Sequence, residues 1–257
     1  MQTESAEWTQ RGLNVAENCQ NITVHAAKFD HRGGPVFYAS LAGDCAPGTG
    51  HGTNRPADQE RLITLLLDHA AAMKTIYRFC RLLGNRADRP IRLARGLLGR
   101  PHLLVGDVLG PAISFSEGGG NIWAALCGDG FDIGIDVAAA DEFQGEYPLH
   151  RVFHDQELHH ASLMTGGDLA EAAALLWSIK EAVVKALGCG FHLVAPQEVH
   201  VLPSVGGGKE YTFSVRLSGK ALARYPLGAA GRSIWVRSYA LEGRWLSIAL
   251  WRGQSRR

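Results

Sequence analysis

Two short stretches of this chain put charged residues where apolar ones are the rule. Gly134-Ile135-Asp136-Val137 closes an alternating apolar run on a carboxylate. Trp177-Ser178-Ile179-Lys180-Glu181-Ala182-Val183-Val184-Lys185-Ala186-Leu187-Gly188 sets two lysines and a glutamate among aliphatic residues. In a helix, Trp177, Glu181 and Lys185 fall at i, i+4 and i+8, so a carboxylate and an ammonium share one face with an aromatic ring. On a wetted surface such a Glu–Lys pair is commonplace and contributes only about 0.3–0.5 kcal/mol. Here Leu175, Leu176, Ile179, Val183, Val184 and Leu187 leave the helix little polar surface, which predicts burial. Buried Lys and Glu need partners or a cation. Two carboxylates, one from a strand end and one from a helix, suit Mg²⁺ better than zinc. Magnesium takes one or two carboxylates, keeps waters, and completes its octahedron with phosphate oxygens. Lysines nearby would neutralise the remaining phosphate charge in a phosphoryl-type transfer. The residue types alone therefore outline a Mg²⁺–phosphate site built by Asp136, Glu181, Lys180 and Lys185.

Those side chains need elements to carry them. Phe131 to Val137 reads as a strand ending at Asp136, and Asp168 to Leu187 as a helix, with Asp168 or Gly167 as its N-cap and Gly188 as its stop. Ahead of them, Ala112 to Ser116 and Asn121 to Cys127 flank Gly118-Gly119-Gly120 as a hairpin. Further upstream, Phe37 to Leu41 suggests a strand, Gly43 to Ala57 a loop, and Gln59 to Leu83 a helix closed by Gly84-Asn85. On that helix Lys74, Arg78 and Arg81 share a face, which reads as a solvated face or as an anion-facing stripe. Asn85 to Arg100 is an Arg-rich link. The C-terminal part alternates over Tyr211 to Leu217, then over Ser233 to Leu241 and Arg244 to Trp251 around Glu242-Gly243, a second hairpin. Strands and helices mix without βαβ regularity, so the fold class is α+β with antiparallel sheets. A division near residue 130 gives halves 1–130 and 131–257, the second carrying both charged motifs.

Composition removes several function classes. The chain has 257 residues, 26 Lys+Arg against 25 Asp+Glu, and a formal charge of +1. That balance lacks the basic excess of a nucleic-acid binder. No run of eighteen apolar residues occurs, and the N-terminal MQTESAEWTQRGLN has no basic stretch followed by an apolar one, so neither a membrane span nor a secretory signal is expected. Five cysteines (Cys19, Cys45, Cys80, Cys127, Cys189) without a CxxC pair suit a reducing, cytoplasmic setting.

Taken together, GID(V/I) and W-S-x-K-E-A-x-x-K-A-x-G-x-G-F resemble the signature of 4′-phosphopantetheinyl transferases of the surfactin-synthetase-activating (Sfp) type. Gly99-Arg100-Pro101 resembles that family's G-(K/R)-P element, Ser114-Phe115-Ser116 its S-H-S, and Arg151-Val152-Phe153-His154-Asp155-Gln156-Glu157 its R-x-F-x-x-x-E. The likeness is close over about residues 95 to 195. It implies a monomeric pseudo-dimer of two similar α+β halves with coenzyme A bound between them. The implied activity is that of a holo-carrier-protein synthase, moving the 4′-phosphopantetheine arm to a serine of an apo acyl, polyketide or peptidyl carrier protein and releasing adenosine 3′,5′-bisphosphate. The resemblance also implies Mg²⁺ on Asp136 and Glu181, and Lys185 on the transferred phosphate and leaving group. Lys180 would face coenzyme A phosphates, Arg100 would lie near the adenine end, and Ser114 near the 3′-phosphate. The serine's proton would go to Glu181 or to a metal-bound water.

Two positions depart from the family pattern. Ala138 stands where a third carboxylate is usual, and Phe115 where the histidine of S-H-S contacts the 3′-phosphate. Phenylalanine donates no hydrogen bond, so coenzyme A affinity should fall unless another group compensates, the Lys74, Arg78 and Arg81 stripe being the candidate. These changes motivate an alternative: a non-catalytic relative that binds carrier protein or coenzyme A without transfer. Three other features have plainer readings. His150 and His154, with His159 and His160, have helical metal-ligand spacing but no HExxH. Gly206-Gly207-Gly208-Lys209 lacks the phosphate-loop pattern and reads as a hairpin loop, and Trp235, Trp245 and Trp251 read as core.

Overall fold

The computed structural model describes residues 22–29, 35–42, 56–73, 90–96, 98–128, 130–145, 147–226 and 234–252. Lys74, Arg78, Arg81, Cys19, Cys45 and Cys80 lie outside these residues, as does the Gly84-Asn85 helix stop.

Two antiparallel sheets dominate. The first has the order β1 (Val24–Ala27), β2 (Val36–Ala42), β7 (Asn121–Cys127), β6 (Ala112–Gly118). The second runs β10 (Val205–Gly207), β11 (Glu210–Leu217), β12 (Ile234–Leu241), β13 (Arg244–Trp251), β8 (Asp132–Ala139), with β9 (Val199–Val201) added on β11. Helix α1 (Pro56–Ala72) covers the outer face of the first sheet, burying Leu62, Ile63, Leu66 and Leu67 against Phe37, Leu41 and Leu126. Helix α3 (Leu169–Leu187) covers the second and packs on β8 and β13, after the shorter α2 (Asp155–Met164). A last short helix, α4 (Gly219–Arg224), follows β11.

The inner faces of the two sheets meet in a third apolar layer, Val36, Tyr38, Trp123 and Ala125 from one against Ile133, Ile135, Val137, Leu246 and Ile248 from the other. All the strands of the first sheet precede residue 128 and all those of the second follow residue 131. The architecture is α+β with antiparallel sheets.

The caps of α3 are those its sequence dictates. The Asp168 carboxylate accepts from Glu171 N–H at 3.0 Å, and Gly188 takes the left-handed conformation (φ 75°) that ends the helix. Both hairpins close where the turn residues stand, with Gly118 opposite Asn121 and Leu241 opposite Arg244. Gly208-Lys209 is likewise the turn between β10 and β11. Trp245 and Trp251 are core residues beneath α3, while Trp235 is half-buried.

The Arg-rich stretch read as a link is instead part of a small three-stranded sheet, β3 (Ile91–Arg95), β4 (Pro101–Val105) and β5 (Val108–Leu109). Its arginines Arg92 and Arg95 are exposed, three positions apart, while β4 buries Leu103 and Val105. Among the described residues, no helix is long and apolar enough to cross a membrane.

Candidate active site

Asp136, Glu181 and Lys185 meet where β8 lies under α3. On β8 the even-numbered residues Asp132, Gly134, Asp136 and Ala138 alternate with Ile133, Ile135 and Val137, which face the other sheet. Gly134 lets the helix sit directly on the strand. A Cβ there would lie 2.7 Å from Ala186 N and closer still to the Ala182 carbonyl oxygen. Glu181 and Lys185 flank these two alanines, so the close approach carries their side chains to Asp136. Ser178, one turn earlier, ties α3 to the sheet through a buried chain of hydroxyls, 2.7 Å to Ser247 and 2.8 Å from Ser247 to Ser238.

The Lys185 ammonium donates to Asp136 Oδ1 at 2.6 Å, to the Ile135 carbonyl at 3.1 Å and to Ser116 Oγ at 3.3 Å. Burial pushes the Asp136 carboxyl up from its usual range, against the pull of Lys185 and Ser116. The Glu181 carboxyl is pushed up as well, by burial first and then by the charge of Asp136, with Lys185 opposing. Two carboxylates against one ammonium leave this pocket short of positive charge. A divalent cation bound by Asp136 and Glu181 fits that donor set, and hard carboxylate oxygens with room for water and phosphate are what Mg²⁺ takes. Ala138 is 1% exposed within the core and offers no donor. Among the described residues, no group of three or more His, Cys, Asp or Glu side chains is gathered for a metal.

Serines of β6 supply the second support. β8 is the last strand of its sheet, and two of its outward N–H groups are met by hydroxyls instead of a main-chain ladder. Ile135 N–H donates to Ser114 Oγ at 3.2 Å and Val137 N–H to Ser116 Oγ at 3.3 Å. Ser116 also donates to Asp136 Oδ1 at 2.9 Å. Its share in the site was not read from the sequence. The period of two in Ser114-Phe115-Ser116 puts both hydroxyls on one side, but no local pattern says which strand lies there.

Beside this cluster is a cleft of about 190 Å³ between the start of α1, the 95–101 segment, β6 and the end of α3. Arg100, Ser114, Phe115 and Lys185, all singled out from the sequence, line it together. Arg100 pairs with Asp132 at 2.5 Å and lies over Gly188, where a Cβ would come within 2.6 Å of its guanidinium. Gly188 therefore both ends the helix and makes room for the cation.

Lys180 does not join the site. It is 0% exposed and spends its three N–H donors on Glu157 at 2.6 Å, the Val199 carbonyl at 2.7 Å and the Pro196 carbonyl at 2.9 Å. Its neighbour along the helix points about 100° away, so Glu181 reaches Asp136 while Lys180 points toward α2. Phe153 lies 5.7 Å from the ammonium, which explains why Phe153 and Glu157 accompany the helix motif in sequence: they enclose its first lysine. The expectation that Lys180 faces phosphates is thereby corrected. The histidine spacing also dissolves. His150 sits in a separate 3₁₀ turn, and His154 precedes α2 with its ring stacked on His200 at 4.4 Å.

Residues 132–237 match the family model described as the 4′-phosphopantetheinyl transferase superfamily. That span begins at Asp132 and holds Asp136, Glu157, Lys180, Glu181 and Lys185. A search of curated proteins finds no match. Two solved structures from Chronobacterium ammoniagenes resemble part of the chain, each at 21% identity over 48% of it. The ACPS–CoA complex is covered to 98% with a TM-score of 0.40, and the apo ACPS structure to 97% with a TM-score of 0.39.

Proposed function

We propose that this protein transfers the 4′-phosphopantetheine arm of coenzyme A to a serine hydroxyl of an apo carrier protein. The observation that carries the reading is the meeting of Asp136, Glu181 and Lys185 at one end of a cleft whose wall includes Arg100, Ser114 and Phe115. The family match over residues 132–237 supports it. The two helix-covered sheets are read as the two halves of a pseudo-dimer, Sfp-type in arrangement, with the diphosphate lying toward Lys185 and the adenosine toward Arg100. A Mg²⁺ ion on Asp136 and Glu181 would supply charge neutralisation at the diphosphate. Lys185, with part of its side chain open to solvent, would exchange its longest hydrogen bond, the 3.3 Å one to Ser116, for the oxygen that leaves with the adenosine bisphosphate. Glu181, the carboxylate beside Asp136 and Lys185, would take the proton of the attacking serine. The new bond joins the serine oxygen to the β-phosphorus, and the bond broken is the one to the bridging oxygen.

The test is mass measurement of several apo carrier domains after incubation with coenzyme A, Mg²⁺ and the protein. Transfer adds the phosphopantetheine mass, and Asp136→Ala and Glu181→Ala each abolish it. Ala138 and Phe115 favour a second reading, binding without transfer. Carrier or coenzyme A binding with no mass gain on any carrier would establish it in place of the first.

A further inference from the structure

Ser116 is 7% exposed, and its hydroxyl is used to capacity. A serine hydroxyl has one donor and two acceptor sites. Here it donates to Asp136 Oδ1 at 2.9 Å and accepts from Val137 N–H and from Lys185 Nζ, both at 3.3 Å. Lys185 donates to the same carboxylate oxygen at 2.6 Å. Both side-chain hydrogen bonds to this carboxylate therefore fall on Oδ1, and among the described residues no side chain bonds Oδ2. The first oxygen is tied down from two directions, by a strand of the first sheet and by α3, and the Val137 N–H adds a main-chain hydrogen bond to the carboxylate, which together restrict its rotation.

We propose that Ser116 is a positioning residue that sets cation choice, by holding Asp136 to one-oxygen ligation through Oδ2. This rests on the reading of Asp136 and Glu181 as holders of a divalent cation. The chemistry distinguishes two ions. Mg²⁺ binds carboxylates through single oxygens at about 2.0–2.1 Å, whereas Ca²⁺ at about 2.3–2.6 Å favours more oxygens and often takes both from one carboxylate. A carboxylate whose Oδ1 is committed to a hydroxyl and an ammonium satisfies the first demand and frustrates the second. Without the hydroxyl, the carboxylate gains rotational freedom and can present both oxygens to the larger ion.

The experiment measures binding of Mn²⁺ alone to the full chain by electron paramagnetic resonance, with Mg²⁺ and Ca²⁺ as competitors, for the wild type, Ser116→Ala, Ser116→Thr and Asp136→Asn. Removal of an outer-shell partner typically weakens metal binding about 10–100-fold. Ser116→Ala should lose Mg²⁺ affinity in that range and Ca²⁺ affinity far less, so the preference for Mg²⁺ drops about tenfold. Ser116→Thr keeps the hydroxyl and should keep the preference. A ratio of affinities does not move with a mere loss of stability, so a structural role for Ser116 leaves it unchanged. An unchanged Mg²⁺/Ca²⁺ preference in Ser116→Ala, with Mn²⁺ binding abolished in Asp136→Asn, overturns the role of Ser116 and leaves the metal site standing. Failure of the wild type to bind Mn²⁺ overturns both.

Discussion

Gly134→Ala tests whether α3 owes its position over β8 to the lack of a side chain beneath it. The added methyl carbon would stand 2.7 Å from Ala186 N and nearer to the Ala182 carbonyl oxygen, against about 3.5 Å for an ordinary contact. Both obstacles are main-chain atoms of a hydrogen-bonded helix, so no rotamer change relieves them and α3 must retreat by about 1 Å. The Lys185–Asp136 hydrogen bond, 2.6 Å long, would then stretch past the roughly 3.2 Å limit of a normal one. Overpacking of this kind costs about 1–3 kcal/mol, which for a chain of this size lowers Tm by roughly 2–4 °C per kcal/mol. A displacement near 1 Å at reacting groups costs about 10²-fold in rate. Thermal unfolding and a carrier-loading assay measure the two effects. Ala182→Gly should rescue neither, because the blocking oxygen belongs to the backbone. A Gly134→Ala protein with wild-type Tm and wild-type transfer rate would refute the packing and, with it, the placement of Glu181 and Lys185 over Asp136.

Glu181→Gln should stabilise the metal-free protein at neutral pH. The folded-state pKa of Glu181 lies above its unfolded value, so its contribution to stability is present below the ordinary glutamate range and is lost as pH rises through the folded value. The Tm gain of the variant should therefore vanish on acidification to about pH 4, and a gain independent of pH would contradict the assignment. Lys180→Met leaves the Glu157 carboxylate buried without its cation and should cost about 3–5 kcal/mol in urea unfolding. The pair Lys180→Met with Glu157→Leu should recover part of that loss, the His154 and Val201 N–H groups losing their acceptor, and should retain transfer, an outcome that a phosphate-binding Lys180 would not allow.

What the sequence made legible was whatever depends on neighbours along the chain. Asp168 and Gly188 bound α3 because capping chemistry is local, and the hairpins follow from glycine turns between alternating strands. The pairing of Asp136 with Glu181 is an expectation from residue type, one ending an apolar strand and the other interrupting an apolar helix, and not from any local signal. Partners brought in from a distance were not legible. Helical periodicity separates Lys180 from Glu181 by about 100°, yet it does not say that α2 and Glu157 lie on one side and β8 on the other. Nor does alternation in β6 reveal that its serines stand beside the edge of β8. The β3–β5 sheet carries no clean period of two, because its exposed Arg92 and Arg95 fall three apart in β3 and imitate a charged link.

The near-neutral total charge is matched locally by the pairing of the three cations of the motif region. Each carries a carboxylate of its own: Lys180 with Glu157, Arg100 with Asp132, Lys185 with Asp136. Their side-chain exposures are 0%, 17% and 29%, and exposure decides what each pair can do. Lys180 and Glu157 are sealed from solvent, so the pair fixes α3 against α2 and no ligand can exchange for its hydrogen bonds. Arg100 and Asp132 are mostly enclosed, and Asp132 holds the guanidinium in place at the wall of the cleft. Lys185 and Asp136 are the most open, and only there does an additional carboxylate, Glu181, raise the negative charge above what the ammonium cancels. A divalent cation bound there, as proposed above, would reverse the sign of that cluster and make it attract phosphate. A chain whose charges almost cancel can thus hold a polyanion without a basic surface, and its affinity for that anion should depend more steeply on Mg²⁺ than on ionic strength.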